Sequence, residues 1–508
     1  LSPCSLFVEN IREKIIQSKI QNICIKNDVT AIITTTSFSS TKSQDFSAES
    51  ILWDKLNIPI FQLLSSTNSR KEWSISSLGL NPLDLTLQVV MPEIDGRIIT
   101  RPCAFKTIDT LNTNLSTNIY KLKPDVRNLS WCIEFIKSWI KLARLENKDK
   151  KITIVLANYP IKNGRIANGV GLDTPNSILL LLNWLKQEGY SLGEKELPSN
   201  ANSLMAQILK TRTNDPESNY KKPLDYIKLD NYENYWRSIP NKARKKIKKH
   251  WDDPYKAEDL EKEKGYAIHG ITYGNISILL QPSRGYEIED SSVVHSPDLP
   301  PPHRYIAQYL WMYKKFNSNA VIHFGKHGTL EWLPGKGIGL SNSCFPHLVL
   351  PPIPNIYPFI VNDPGEGSQA KRRSQAVIID HLTPALGRAG LYGELLEIEN
   401  LIDEYYECSL LSSDRKELVK DKLMSKIKNQ SLTDIKFDSN YNDDDNTVNL
   451  INSVDTYLCE IKESQIRLGL HIYGKLAEKN NLLQLILSIA RAPTKFGNGI
   501  TQEIASLL

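Results

Sequence analysis

Apolar residues recur along this chain in two rhythms. Short β-branched runs stand at Val29–Thr36, Ile58–Leu64, Ile152–Leu156, Ile276–Leu280 and Ala320–Phe324, each bounded by polar, Gly or Pro residues. Such runs predict buried strands. Between and after them the spacing lengthens toward 3.6 residues, predicting helices at Ile51–Leu56, from Asp173 to about Glu188, around Ile306, Tyr309, Leu310 and Tyr313, around Leu395, Ile398, Ile402 and Tyr405, and over Leu483–Ala490. The start of the second is marked by Asp173-Thr174-Pro175 and its end by Gly189, a cap, a first-turn proline and a left-handed stop. Asp363-Pro364 opens a further helix by the same logic, which carries Lys371, Arg372 and Arg373 and is expected to end near His381.

Strands alternating with helices predict an α/β chain of several domains, with Rossmann-like α/β layers, helical insertions and a helical C-terminal segment. The expected division is an α/β segment over 1–105, a second α/β unit over 106–212, a helical insertion or linker over 213–265, a core over 266–400 and a helical segment over 401–508. Residues 213–262 are charged and poor in apolar positions, so they are read as lying outside the core. Residues 427–448, rich in Asn and Asp and including Asp443, Asp444 and Asp445, read as a mobile loop.

Composition adds limits. At 508 residues, 41% apolar and 23% charged, the chain is expected to be soluble and folded. A net charge of +5 over that length gives no basis for nucleic-acid binding, and the basic stretch Lys242–Lys249 reads as a solvated helix face. Seven scattered cysteines without a CxxC pair signal neither a disulfide framework nor a zinc ribbon, and fit the reducing cytoplasm. The longest apolar stretch, Ile178–Leu185, is far shorter than the roughly 20 residues of a membrane span. The chain opens at Leu1-Ser2-Pro3 with no initiator Met, which leads us to expect a piece of a longer protein.

Chemistry concentrates in three segments. In VIHFGKHGTLEWLPGK (Val321–Lys336) a short strand runs into a glycine-broken turn that displays His323, His327 and Glu331, three metal-capable side chains within nine residues. Gly325, Gly328 and Pro334 argue against a continuous helix there, so a loop at a strand's carboxyl end is expected, where α/β sheets bind ligands. These three are the candidate metal ligands and catalytic groups, although two histidines beside a glycine turn could equally do no more than satisfy backbone hydrogen bonds. The spacing is not that of a zinc protease, although a zinc hydrolase using the same three residues stays open. The second segment, Asn355–Thr383, gathers Asp363, Glu366, Lys371, Arg372 and Arg373 near a helix start. Its cations could grip a polycarboxylate ligand, or its charges could simply pair with one another. The third, Ala157–Pro175, sets Arg165, Asn168 and Asp173 among glycines, a weak phosphate-loop signal. No Walker motif exists: Gly335-Lys336 is followed by Gly337, and Leu330 stands where its first glycine is required.

Together these segments resemble the CobN family, the large subunit of aerobic cobaltochelatase, which is related to the magnesium chelatase large subunit. Further resemblance lies in QVVMPEIDGR (Gln88–Arg97), GNISILLQPSRGY (Gly274–Tyr286), HSPDLPPPHRY (His295–Tyr305) and AGLYGELLEIENLIDEYYE (Ala389–Glu407), and it spans most of residues 50–475. The resemblance implies binding of a metal-free tetrapyrrole and insertion of cobalt, as substrate, into hydrogenobyrinic acid a,c-diamide during cobalamin synthesis. It also implies partner subunits of the AAA+ type that hydrolyse ATP with Mg, consistent with the missing Walker motif. His323, His327 and Glu331 would serve metal and proton transfer. Lys371, Arg372, Arg373, Glu366, Asp363, Arg165, Asn168 and Asp173 would contact the ring. Trp332-Leu333 and PFIVNDPGEGSQ (Pro358–Gln369) look like the cobalt branch, although a magnesium chelatase large subunit acting on protoporphyrin, or a non-catalytic tetrapyrrole carrier or sensor, stays open. Arg304 departs from the cobalt pattern of a second histidine after His303, which puts a metal role for His303 in doubt.

Overall fold

The computed structural model describes residues 2–40, 56–285, 295–384, 394–408, 413–429, 447–448, 450–455, 458, 469–493 and 497–507. The helix expected from Ile51, and most of the acidic loop at 427–448, lie outside the described residues.

The chain first lays down β1 (Ile32–Thr34), β2 (Ile60–Ser66), β3 (Ile98–Asn112) and β4 (Thr117–Pro124), four neighbours in one sheet that is parallel except for the β3–β4 hairpin. It then adds β5 (Ile152–Leu156), a short antiparallel pair of β6 (Asp225–Ile227) and β7 (Tyr266–Ile268), and finally β8 (Gly270–Tyr273), β9 (Ile276–Leu280), β10 (Ala320–Phe324), β11 (Asn355–Ile360) and β12 (Ala376–His381). The second sheet has the order β12-β11-β10-β5-β9-β8, parallel throughout except for the edge strand β8. Because helices cover a parallel sheet on both faces, its central strands read as unbroken apolar runs, and every residue of β5 and β9 is buried.

Chain order explains where a ligand can sit. From β5 the chain passes to β9 on one side, and later to β10 on the other, which gives the doubly wound order 2-1-3-4-5 if β5 is counted first. The carboxyl ends of β5 and β10 are therefore the switch point of the sheet, the place where α/β sheets usually bind ligands.

Two compact units emerge: residues 1–169 with 174–381, and residues 170–173 with 382–508. β5, from the second expected segment, pairs with β9 and β10 from the fourth, so these two segments share one sheet. The reading of segment 213–262 as lying outside the core needs correction. Its helices Leu229–Ser238 and Asn241–Trp251 send Tyr232, Trp236, Ala243 and Ile247 into the main core beside Tyr305, Tyr309 and Val321. Few apolar residues suffice when all of them lie on one face, and the lysines occupy the other.

A second correction concerns the helix from Asp363. It runs only over Pro364–Ser374, ends at Gln375 in a left-handed conformation (φ 50°), and yields to β12, which pairs with β11 through six residues. The β-branched run after Gln375 finds an open strand edge there, and pairing outweighs helix continuation. The remaining unit is helical: Ile398, Leu401, Ile402 and Tyr405 of helix Glu394–Cys408 pack on Val419, Leu423 and Ile427 of helix Ser413–Asn429, as the apolar stripe anticipated. The tail helix extends over Lys479–Ala490. No helix among the described residues is long and apolar enough to cross a membrane, and the six described cysteines are free.

Candidate functional site

At the carboxyl ends of β5 and β10, strand β10 delivers His323 inside the sheet and His327 just past its end. Gly325 (φ 88°) turns the chain, and Gly328 lets it pass Gln281, whose Oε1 would lie 2.8 Å from any added Cβ. His327, 2% exposed, stacks on Tyr159 from the loop after β5, with ring centroids 5.3 Å apart. Its Nδ1–H donates to the Gly328 carbonyl at 2.5 Å, which leaves the Nε2 lone pair outward. Facing that nitrogen are His295 Nε2 at 2.9 Å, the Tyr159 hydroxyl at 3.4 Å and Glu366 Oε2 at 3.7 Å. Burial, aided by Lys326, pushes His327 down to about 4, so the ring is neutral at physiological pH.

Glu331, also 2% exposed, is held by Tyr357 of β11: the phenol accepts from the Gly328 N–H and donates to Glu331 Oε1 at 3.0 Å. Loss of hydration pushes this carboxyl up to about 7, against the weaker pull of its own backbone N–H and of Tyr357. A carboxyl balanced between acid and base near neutrality is what proton transfer requires.

His323 behaves differently. Asn355 Nδ2 donates to Ser374, which turns Asn355 Oδ1 toward His323 Nδ1 at 2.8 Å and makes that nitrogen the N–H donor. Its Nε2 then accepts from the Tyr309 hydroxyl at 2.9 Å. Both nitrogens are committed inside the sheet. Among the described residues no three His, Cys, Asp or Glu side chains are gathered to hold a metal ion, so the expected common ligand set of His323, His327 and Glu331 is not formed in this structure.

The charged segment also divides. Asp363 caps helix Pro364–Ser374 and pairs with Lys326, which lies 3.4 Å from Glu366 as well. Burial opposes the charge on Lys326, yet these two carboxylates outweigh it and raise its pKa. Arg373 is buried and donates to the carbonyls of Glu331 and Leu333, both at 2.7 Å, so its guanidinium clamps the turn that carries Glu331. Arg372 forks onto Glu93 at 3.1 and 2.8 Å. The side chain of Lys371, half-buried, makes no hydrogen bond or ion pair with another described residue. Arg165 sits in a single turn, Asn163–Arg165, with Asn168 just beyond it in a loop that folds back on β5 through the Ala167 N–H to the Ala157 carbonyl. Asp173 belongs to the other unit, where its N–H donates to the His471 carbonyl. His303 is fully buried, its ring nitrogens engaged with the Tyr232 hydroxyl at 2.8 Å and the Asp252 carbonyl at 3.1 Å. Lys336 caps the end of helix Arg70–Ile75 by donating to the carbonyls of Trp73, Ser74 and Ser76.

Sequence reading missed Tyr159, Lys326, Tyr357 and, above all, His295. Each reaches the site from a different loop or strand, and no local spacing links His295 with a residue 32 positions later.

A family model described as CobN/Magnesium Chelatase matches residues 1–508. The aerobic cobaltochelatase subunit CobN of Pseudomonas aeruginosa is 37% identical over 500 residues, which cover 98% of this chain and 39% of that protein. The chloroplastic magnesium-chelatase subunit ChlH of Oryza sativa is 30% identical over 475 residues, 91% of this chain and 32% of its own length. The catalytic subunit of cobaltochelatase from Mycobacterium tuberculosis superposes with a TM-score of 0.71 at 31% identity, covering 98% of this chain and 42% of that one. The chain thus spans about two fifths of the length of the cobaltochelatase relatives it matches. With the whole of it matched, and the same fold found at 31% identity, the chain belongs to the CobN/magnesium chelatase family.

Proposed function

We propose that this chain is the ring- and metal-handling part of an ATP-dependent cobaltochelatase large subunit. Its substrates are then a divalent cobalt ion and a metal-free corrinoid, hydrogenobyrinic acid a,c-diamide, while AAA+ ATPase subunits hydrolyse MgATP. The observation that carries the reading is a buried Glu331 raised to about 7, on the same turn as a neutral His327 whose Nε2 lone pair faces His295. For a cation to enter a macrocycle, a ring N–H proton must leave and the cation must exchange water for ring nitrogens. Glu331 accepts the proton; His327 Nε2 holds the cation until the ring takes it. Among the three cations expected to grip ring carboxylates, Lys371 is the one not engaged with another described residue, and we assign it that role. Glu331 and His327 are buried here, so the ring reaches them only when the residues over them move aside.

Cobalt is favoured over magnesium by the higher identity to the cobaltochelatase relative and by the Trp332-Leu333 and Pro358–Gln369 patterns. The test is insertion by Glu331→Gln with ATPase subunits supplied. The variant keeps the shape and loses the base, so it should bind ring and fail to metallate it. Full activity in that variant would remove Glu331 from the mechanism.

A further inference from the structure

Resting on that reading, the geometry points to His295 as the second imidazole of a two-histidine landing site, with His327, for a borderline transition-metal cation such as Co²⁺. Two imidazoles facing each other nitrogen to nitrogen, Nε2 to Nε2 at 2.9 Å, need something positive between them. A single N–H serves in the empty site, donated by His295, because the proton of His327 is on Nδ1 and directed at the Gly328 carbonyl. A cation can replace it. An N–H from the far nitrogen to a backbone carbonyl is how metal-binding histidines are commonly oriented, and it leaves Nε2 as the donor atom. Two nitrogens each about 2.0–2.1 Å from a tetrahedral cation stand roughly 3.3 Å apart, so the rings need part by only about half an ångström. Glu366 Oε2, 3.7 Å from His327 Nε2, adds negative charge beside the cation.

His295 is an exposed residue on a segment that is nonetheless well anchored. The fully buried Arg284, from the loop after β9, donates to the carbonyls of Ser296 at 3.1 Å and Leu299 at 2.6 Å, and Trp251 Nε1 donates to the Pro300 carbonyl at 2.8 Å. Trp332 then meets the His295 ring edge-on, with centroids 5.0 Å apart. These contacts hold the imidazole opposite His327. Two protein donors fit a cation that must be released: a closed four-ligand site retains its metal, whereas here water and then ring nitrogens fill the other positions. Imidazole also selects against magnesium, which prefers oxygen ligands.

The experiment is a titration of the chain with cobalt(II) chloride, followed by visible absorption, on the wild type and on the His295→Ala, His327→Ala and His295→Cys variants. Binding of metal-free corrinoid is measured separately by absorbance. His295→Ala is expected to weaken Co²⁺ binding at least about tenfold, with ring affinity unchanged. His295→Cys is expected to restore binding and to add a thiolate-to-cobalt charge-transfer band in the near ultraviolet. Wild-type Co²⁺ affinity in His295→Ala would overturn the assignment, as would a folded His295→Cys that binds cobalt without that band. Failure of the wild type to bind ring would instead remove the function proposed above, and leave the cobalt titration to be read by itself.

Discussion

Replacing Glu331 by glutamine removes one ionisation from the interior while keeping the shape and the acceptor for Tyr357. The carboxyl titrates at about 7 in the folded chain and has an ordinary value of 4.5, because burial strips water from its charged form. At about 1.4 kcal/mol per pH unit, that gap is on the order of 3 kcal/mol. The direction follows from the raised value. Below pH 4.5 the group is protonated in both states and costs nothing. Between 4.5 and about 7 the unfolded chain ionises and the folded one does not, so wild-type stability declines, and above about 7 the full penalty persists. Glu331→Gln is therefore expected to exceed wild type by about 3 kcal/mol at pH 8, with the difference shrinking toward its acid limit near pH 5. The buried histidines are common to both proteins and cancel. The assay is urea unfolding from pH 5 to 8.5 by tryptophan fluorescence. All eight described tryptophans lie in the unit that contains residues 1–169 and 174–381, so their signal reports on the unit holding Glu331. A stability difference that does not change with pH would refute the perturbed carboxyl and, with it, the reason for choosing Glu331 as the base.

Two further substitutions separate roles that the sequence left mixed. Arg373→Ala removes two charged hydrogen bonds to the Glu331 and Leu333 carbonyls, each contributing about 1.5–3 kcal/mol, so urea unfolding should show a loss of about 3 kcal/mol or more. Unchanged stability with weakened ring binding would return this residue to the ligand. Lys371→Ala should leave stability within about 0.5 kcal/mol of wild type, as a change at a site making no paired contact, and weaken corrinoid binding by roughly tenfold for a lost interaction of about 1.4 kcal/mol. Wild-type ring affinity, by absorbance titration, would exclude it.

Where the sequence was readable, the reason was local. The apolar run Ile152–Leu156 can only be comfortable with both faces covered, and it became a central parallel strand. The stripe Ile398, Ile402, Tyr405 needed one partner helix and found it. Glycines at 325 and 328 announced a turn at a strand's end, and the turn is there. Misreadings arose where a choice depended on a distant neighbour. Residues after Gln375 were assigned to a helix until β11 offered an edge to pair with, and helices of the charged segment 229–251 were placed outside a core that their few apolar side chains in fact help to fill.

By itself, then, the sequence determined the alternation of strands and helices, the absence of a Walker motif, and the turn that presents His327 and Glu331, because these depend on residues adjacent along the chain. Tertiary structure alone decided which polar groups would meet. It committed His323 to Asn355 and Tyr309, set Arg373 to clamping a turn, and brought His295 across to His327. Hydration, too, is a property of the fold: the same carboxyl that would titrate near 4.5 in an open chain is raised to about 7 only because β10, β11 and the turn between them exclude water from it.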